Sequence, residues 1–120
     1  DLIDCYETVA CDDAEILIVA YGITARSAHR AVHQARAQGL AAGLFRPVTL
    51  WPFPEQALRS VTRCAQAVLV PEMNGGQLCW EVDRICADTP VSRLNRIDGE
   101  SITPDQIQQR IIELAEHAGH

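Results

Sequence analysis

A continuous apolar run, AEILIVAYG from Ala14 to Gly22, constrains the fold of this chain more than any other feature. Strands buried on both faces of a parallel sheet have such runs, whereas strands with one wet face alternate polar and apolar residues. After the run, Thr24 can cap a helix, and Gly39 can end that helix in a left-handed conformation. The stretch therefore predicts a buried strand followed by a helix.

The alternation of strand and helix repeats three more times along the chain. The further predicted strands are 40–48, 65–72 and 90–97. Helices are expected to follow at Pro54, after the turn at Asn74-Gly75-Gly76, and at a capping box from Thr103 to Gln106. Such alternation implies right-handed crossovers between parallel strands. We therefore predict the α/β class: a three-layer α/β/α fold with a mostly parallel sheet of four to five strands.

The predicted domain spans residues 14–117. Residues 1–13 remain open between an edge strand antiparallel to the others and the end of a helix or linker from a longer chain. The chain starts at Asp1 with neither an initiator methionine nor a signal pattern. We therefore expect it to be a piece of a longer polypeptide.

The composition excludes several classes of partner. The chain has 16 acidic against 10 basic residues and a net charge of −6, so nothing favours nucleic acid or an anionic membrane. The apolar run is also far shorter than the roughly 20 residues of a membrane-spanning helix. Five cysteines without a C-x-x-C pair predict reduced packing residues in a cytoplasmic protein, not disulfides or metal ligands.

Ligand-binding sites in open parallel sheets lie beyond the carboxyl ends of the strands. The segment from Pro71 to Gln77 leads glycines into a helix start, which can hold an anion, but Glu72 places a negative charge beside it. His29 and His33 share a helix face without a third metal ligand, so we interpret them as solvated. No motif indicates an activated nucleophile, a dinucleotide site or a P-loop. The sequence predicts no catalytic, cofactor-binding or metal-binding residue.

Two large aromatic residues and two prolines lie together in Trp51-Pro52-Phe53-Pro54, although the chain has only six Phe, Trp and Tyr residues. Because proline fixes φ, this segment would hold both aromatic side chains in one pose. Such a rigid pair either fills the core of its own domain or anchors an interface with another one. Both interpretations stay open at this point.

Four segments carry a resemblance to a known family. They are AYGITARSAHRAV, GLFRPVTLWPFPEQAL, VPEMNGGQLCWEV and GESITPDQI. Together they resemble the C-terminal domain of the alpha subunit of 2-oxoacid:ferredoxin oxidoreductases, nearest the 2-oxoglutarate type. That domain is often called core domain II of pyruvate:ferredoxin oxidoreductase, and it is similar to the transketolase C-terminal domain. The likeness runs from Asp12 to Ile112, which is most of the chain.

The resemblance implies a non-catalytic accessory or assembly domain of an enzyme. The family oxidatively decarboxylates a 2-oxoacid with coenzyme A on thiamine diphosphate and passes electrons through iron–sulfur clusters to ferredoxin. Thiamine diphosphate, Mg²⁺ and the clusters would lie elsewhere in the complex, so none is expected on this domain. The implied partners are other domains of the alpha chain, a beta subunit and, through the complex, ferredoxin; a homodimer is also expected to be feasible. Five residues would face partner surfaces: Trp51, Phe53, Glu72, Asn74 and Gln77.

Two alternative functions remain open from the residues alone. One is a free-standing flavodoxin-like ligand-binding module, and the other is the equivalent domain of a transketolase or 2-oxoacid dehydrogenase. A phospho-receiver is disfavoured, because Tyr21-Gly22 and Pro71-Glu72 stand where it would need acidic residues. A flavin or nucleotide binder would gain thermal stability on adding its ligand.

Overall fold

The computed structural model describes residues 6–10, 13–47, 55–72, 77–86, 89–95 and 102–118. In these ranges the chain forms five strands, four α-helices and one 3₁₀ turn. In chain order they are β1 (Tyr6–Val9), β2 (Ile16–Val19), α1 (Gly22–Ala37), β3 (Ala42–Pro47), α2 (Glu55–Val61), the 3₁₀ turn (Thr62–Cys64), β4 (Ala67–Glu72), α3 (Gln77–Ile85), β5 (Val91–Asn95) and α4 (Pro104–Ala118). None of the helices in these ranges has the length and apolarity needed to cross a membrane.

The strands form one sheet in the order β1-β3-β2-β4-β5. Strands β2 to β5 are parallel, whereas β1 pairs antiparallel with β3 and places Glu7 opposite Arg46. The N-terminal stretch, which the sequence left open, thus contributes β1 to the edge of the sheet. The five-stranded, mostly parallel sheet confirms the predicted α/β class.

Strand β2 lies in the middle of the sheet, and all of its residues are buried. Ile16 and Ile18 pack in a cluster with α1 and α4, while Leu17 and Val19 pack in a second cluster with α2 and α3. The alternation of side chains along a strand sends them to opposite faces of the sheet. Because helices cover both faces, β2 needs no polar position, and the predicted three-layer arrangement is confirmed.

Helix α1 begins at Gly22, two residues before the predicted cap at Thr24. Gly22 has a φ of 63°, so the chain turns directly from β2 into the helix, and Thr24 is buried within it. The prediction that Thr24 caps the helix is therefore wrong. The predicted end is confirmed, because Gly39 has a φ of 88° and the N–H groups of Gly39 and Leu40 donate to carbonyls of the last turn, both at 3.0 Å.

Helix α4 begins with the predicted capping box. Thr103 Oγ1 accepts a hydrogen bond from the Gln106 N–H at 3.2 Å, and Gln106 Oε1 accepts one from the Thr103 N–H at 3.0 Å. Pro104 is the first helical residue, where its missing N–H leaves no bond unmade. Ile107 and Ile111 are fully buried in the cluster that joins α4 to α1 and the sheet.

Arg36, near the end of α1, holds the connection between β1 and β2. One of its terminal nitrogens donates to Asp13 Oδ1 at 2.6 Å and to the Ala10 carbonyl at 2.9 Å, and its Nε donates to the Ala42 carbonyl at 2.7 Å. The hydrogen bond and charge of Arg36 lower the pKa of the Asp13 carboxyl. The connection passes so close to β3 that a Cβ on Gly43 would lie 2.8 Å from the Ala10 oxygen. Glycine at this position therefore permits the close approach.

Candidate functional site

The carboxyl ends of the parallel strands meet at one edge of the sheet, which we call the carboxyl edge. Tyr21 and Gly22 follow β2 there, and Pro47, Glu72 and Asn95 end the other three strands. Parallel strands return through helices, so the loops from strand to helix all start on this side. This is the edge where the sequence predicted the residues that face partners.

Two of the five predicted interface residues lie within the described ranges. Glu72 is the last residue of β4, and Gln77 is the first residue of α3, so both lie at the carboxyl edge. Trp51, Phe53 and Asn74 lie outside the described residues. A partner-facing role for these five residues stays a prediction.

Trp80 is a surface residue that the sequence analysis missed. It lies in α3, one turn after Gln77, and it is 80% exposed. Val82 and Ile85 of the same helix are buried against the sheet, so Trp80 lies off the buried face. The spacing of apolar residues in α3 could have indicated this exposure, since a tryptophan outside the apolar stripe of an amphipathic helix must meet solvent or a partner. Large exposed aromatic side chains are typical of interface anchors.

A groove of about 330 Å³ lies beside Trp80. Its other lining residues are Asp83 of α3 and Val91 and Arg93 of β5. Strand β5 ends the sheet order, with β4 as its neighbour, and strand edges of this kind can pair with another chain. An exposed indole, one acidic and one basic side chain and a strand edge together form a surface suited to a protein partner.

The described residues offer little for bond-making chemistry. Among the described residues, no group of three or more His, Cys, Asp or Glu could hold a metal ion. His29 and His33 are exposed on α1, in agreement with their interpretation as a solvated face. Cys86 is a free thiol that is 4% exposed, and its burial raises its pKa. A raised pKa keeps the thiol protonated, which suits the predicted packing role and not that of a nucleophile.

The strand order and the two helix layers define the class of the chain, a three-layer α/β domain, and this fold is similar to that of a transketolase. An inactive β4 tetramer of a split-gene transketolase superposes with a TM-score of 0.79 over 95% of this chain and 42% of that chain. At 20% identity this likeness shows the fold alone. A 2-oxoglutarate:ferredoxin oxidoreductase from Magnetococcus marinus superposes with a TM-score of 0.81 and 26% identity, over 94% of this chain and 20% of that chain.

The family model described as pyruvate:ferredoxin oxidoreductase core domain II matches residues 14–107, and the chain belongs to this family. The resemblance stated from the sequence is thereby confirmed. The match also favours the oxidoreductase interpretation over a free-standing flavodoxin-like module.

Curated relatives agree with the family assignment. The 2-oxoglutarate synthase subunit KorA of Methanothermobacter marburgensis is 40% identical over 102 residues, which cover 84% of this chain and 27% of the relative. The ketoisovalerate oxidoreductase subunit VorB of the same organism is 38% identical over 92% of this chain and 31% of its own length. The chain thus spans between a quarter and a third of these relatives, and each of them is named as a subunit of an enzyme.

Proposed function

We propose that this chain is a non-catalytic accessory and assembly domain, spanning residues 14–117, within the alpha subunit of a 2-oxoacid:ferredoxin oxidoreductase. Family membership supports the enzyme class. The single observation that carries the assembly role is the 80% exposure of Trp80 beside the β5 edge. An indole of this size left in water is a liability for an isolated domain but an anchor for a bound one.

The names of the relatives support a 2-oxoacid as the substrate of the whole enzyme. They include a 2-oxoglutarate synthase subunit, a ketoisovalerate oxidoreductase subunit and a pyruvate synthase subunit, PorA of Methanothermobacter thermautotrophicus. The similar structure from Magnetococcus marinus carries 2-oxoglutarate, coenzyme A and succinyl-CoA. We therefore propose coenzyme A-dependent oxidation of a 2-oxoacid, nearest the 2-oxoglutarate type, with ferredoxin as the electron acceptor.

The Mg²⁺ ion and iron–sulfur clusters of such an enzyme find no ligand set in the described part of this chain. A Mg²⁺ ion needs several oxygen ligands and an iron–sulfur cluster needs several thiolates. Among the described residues no cluster of three or more metal-ligating side chains exists, and Cys86 is a buried thiol without a metal-binding neighbourhood. We propose that thiamine diphosphate, Mg²⁺ and the clusters bind to other domains of the complex.

The proposed docking surface runs along the carboxyl edge and continues onto α3. Besides Trp80, it comprises the five residues named from the sequence: Trp51, Phe53, Glu72, Asn74 and Gln77. Glu72 and Gln77 end β4 and begin α3, and Trp80 follows one turn later, which supports a continuous surface. Its proposed occupants are other domains of the alpha chain and a beta subunit.

The test is to replace Trp80 in the full subunit, co-expressed with its neighbouring subunit. Assembly is measured by light scattering after size exclusion, and activity by coenzyme A-dependent reduction of a viologen dye with a panel of 2-oxoacids. We expect Trp80→Lys to weaken assembly about 30-fold, as for an anchor worth about 2 kcal/mol. The rate should fall in proportion to the assembled fraction, because Trp80 has no role in the chemistry.

Two variants control for unrelated effects. Trp80→Phe keeps an aromatic side chain and should retain most of the assembly, and Gln109→Ala changes an exposed residue of α4 and should leave both readouts unchanged. Normal assembly of Trp80→Lys would refute the anchor role. A fully assembled wild-type complex, loaded with its cofactors, that reduced no dye with any 2-oxoacid would refute the enzyme class. Trp51→Ala and Glu72→Ala, measured in the same way, test the residues named from the sequence.

A further inference from the structure

A second groove, distant in sequence from Trp80, lies between β1, β3 and α1. Its floor is formed by two cross-strand pairs, Glu7 with Arg46 and Val9 with Leu44. Residues two apart on a strand point to the same face of the sheet, so these four side chains share one face. Helix α1 contributes the wall, and the space enclosed is about 330 Å³. The wall residues are Ala25, Arg26 and His29.

The groove concentrates positive charge in a chain whose net charge is −6. Arg26 and Arg46 face a single carboxylate, Glu7, and His29 adds an imidazole. One terminal nitrogen of Arg46 donates to Glu7 Oε1 at 2.9 Å, so the charge of this glutamate is already paired with Arg46. The groove therefore contains more cationic than anionic groups.

The hydrogen-bond donors of these basic side chains are only partly used. Within the described ranges, the side chains of Arg26 and His29 have neither a hydrogen-bond nor an ion-pair partner. Arg46 Nε is buried and has no hydrogen-bond partner among the same residues. Buried donors are normally satisfied, and a guanidinium donates in a planar fork that fits an oxyanion.

Arg36 provides an internal comparison on the same helix. Arg26, His29, His33 and Arg36 are spaced three, four and three residues apart, which places them along one side of α1. Arg36 donates hydrogen bonds to Asp13 and to two backbone carbonyls, so it has a structural role. The charge of Arg26 has no such structural use among the described residues.

We propose that this groove binds the oxyanion of a small molecule, a carboxylate or a phosphate, between Arg26, His29 and Arg46. Two guanidinium groups recognise either oxyanion by charge-assisted hydrogen bonds. The enclosed volume of about 330 Å³ is at the lower end of the range for small-molecule sites, which suits a ligand of few atoms. The proposal does not depend on the assembly role of Trp80.

The test is a titration of the full chain, labelled with ¹⁵N, with inorganic phosphate in one series and succinate in another. Sodium chloride at matched ionic strength is the reference for general screening. We expect saturable shifts of the Arg26, His29 and Arg46 amide signals with at least one of the two ligands. The ligand that binds more tightly identifies phosphate or carboxylate as the preferred oxyanion.

Substitutions separate a site from a merely basic surface. Arg26→Gln should weaken binding about tenfold, because a charge-assisted hydrogen bond is lost. Arg30→Gln is the matched control, since Arg30 is exposed on the same helix but does not line the groove, and it should bind like the wild type. Shifts that fail to saturate, or that sodium chloride reproduces, would overturn the proposal. Equal weakening by both substitutions would also overturn it.

Discussion

The two helix layers that cover the sheet differ in the length of their helices and in the exposure of their side chains. The layer of α1 and α4 has helices of 16 and 15 residues, closed by a glycine end and a capping box. The layer of α2 and α3 has helices of seven and nine residues, and it contains Trp80 at 80% exposure. Both layers pack against apolar side chains of the same central strands.

This difference suggests that the layer of α1 and α4 stabilises the domain, whereas the layer of α2 and α3 provides its proposed docking surface. Long helices with continuous buried stripes, one ended by a glycine and the other started by a capping box, provide packing energy without help from another chain. Short helices that carry an exposed tryptophan provide a surface whose apolar area is still available for burial. We therefore expect substitutions in the first layer to act on folding and substitutions at Trp80 to act on assembly.

The largest expected effect is that of Ile111→Ala in the layer of α1 and α4. Ile111 is fully buried in the core cluster, so the variant should lose about 2–5 kcal/mol of unfolding free energy through lost burial and a cavity. Urea unfolding followed by circular dichroism measures this loss. Ile112→Ala is the control, because Ile112 is only half-buried and should cost less. Equal losses in the two variants would contradict the described core.

A smaller effect is expected from the cap of α4. Thr103→Ala removes the oxygen that accepts the Gln106 N–H and should lower the unfolding free energy by about 1 kcal/mol. Thr103→Ser keeps that oxygen and should retain most of the stability. The same urea titration compares the three proteins, and a serine variant as unstable as the alanine variant would argue against the capping box.

A pH effect is expected from Cys86 in the layer of α2 and α3. Burial raises the pKa of the Cys86 thiol above its ordinary value of 9.0, so the folded chain holds the proton more tightly than the unfolded chain. This contribution to stability is fully present below pH 9 and is lost as the pH rises through the raised pKa. The wild type should therefore lose stability more steeply above pH 9 than Cys86→Ala. Identical slopes in thermal unfolding at a series of pH values would count against this prediction.

The smallest effect on folding is expected at Trp80. Because the residue is 80% exposed, Trp80→Ala in the unassembled chain should change the unfolding free energy by no more than about 0.5 kcal/mol. Urea unfolding in parallel with Ile111→Ala gives the most direct test of the difference between the layers. A loss at Trp80 comparable to that at Ile111 would remove the distinction between folding and docking residues.

Local patterns predicted the helix ends with mixed success. The capping box at Thr103 and the left-handed end at Gly39 were predicted correctly, since both depend on residues within one turn of the helix end. The start of α1 was not, because Thr24 and Gly22 are both plausible start signals two residues apart. Only the burial of Thr24 and the positive φ of Gly22 decide between them.

The candidate surface could be predicted only in part. The carboxyl edge follows from the parallel strands, and Glu72 and Gln77 lie there as expected. Trp80 escaped prediction because its sequence neighbours include buried residues, such as Val82, and an apolar residue among them is usually buried too. The groove at Arg26 and Arg46 could not be predicted, because it requires β1 to pair beside β3.

The sequence by itself determined the α/β class, the buried central strand and the alternation of strands and helices. These follow from apolar periodicity and from turn residues, which act over a few positions of the chain. Only the tertiary structure decided the strand order, the antiparallel pairing of β1 and the close approach of the Ala10 carbonyl that Gly43 permits. These features depend on contacts between segments that are distant along the chain. A local sequence pattern indicates whether a side chain favours burial, but it does not identify the residues that pack against it.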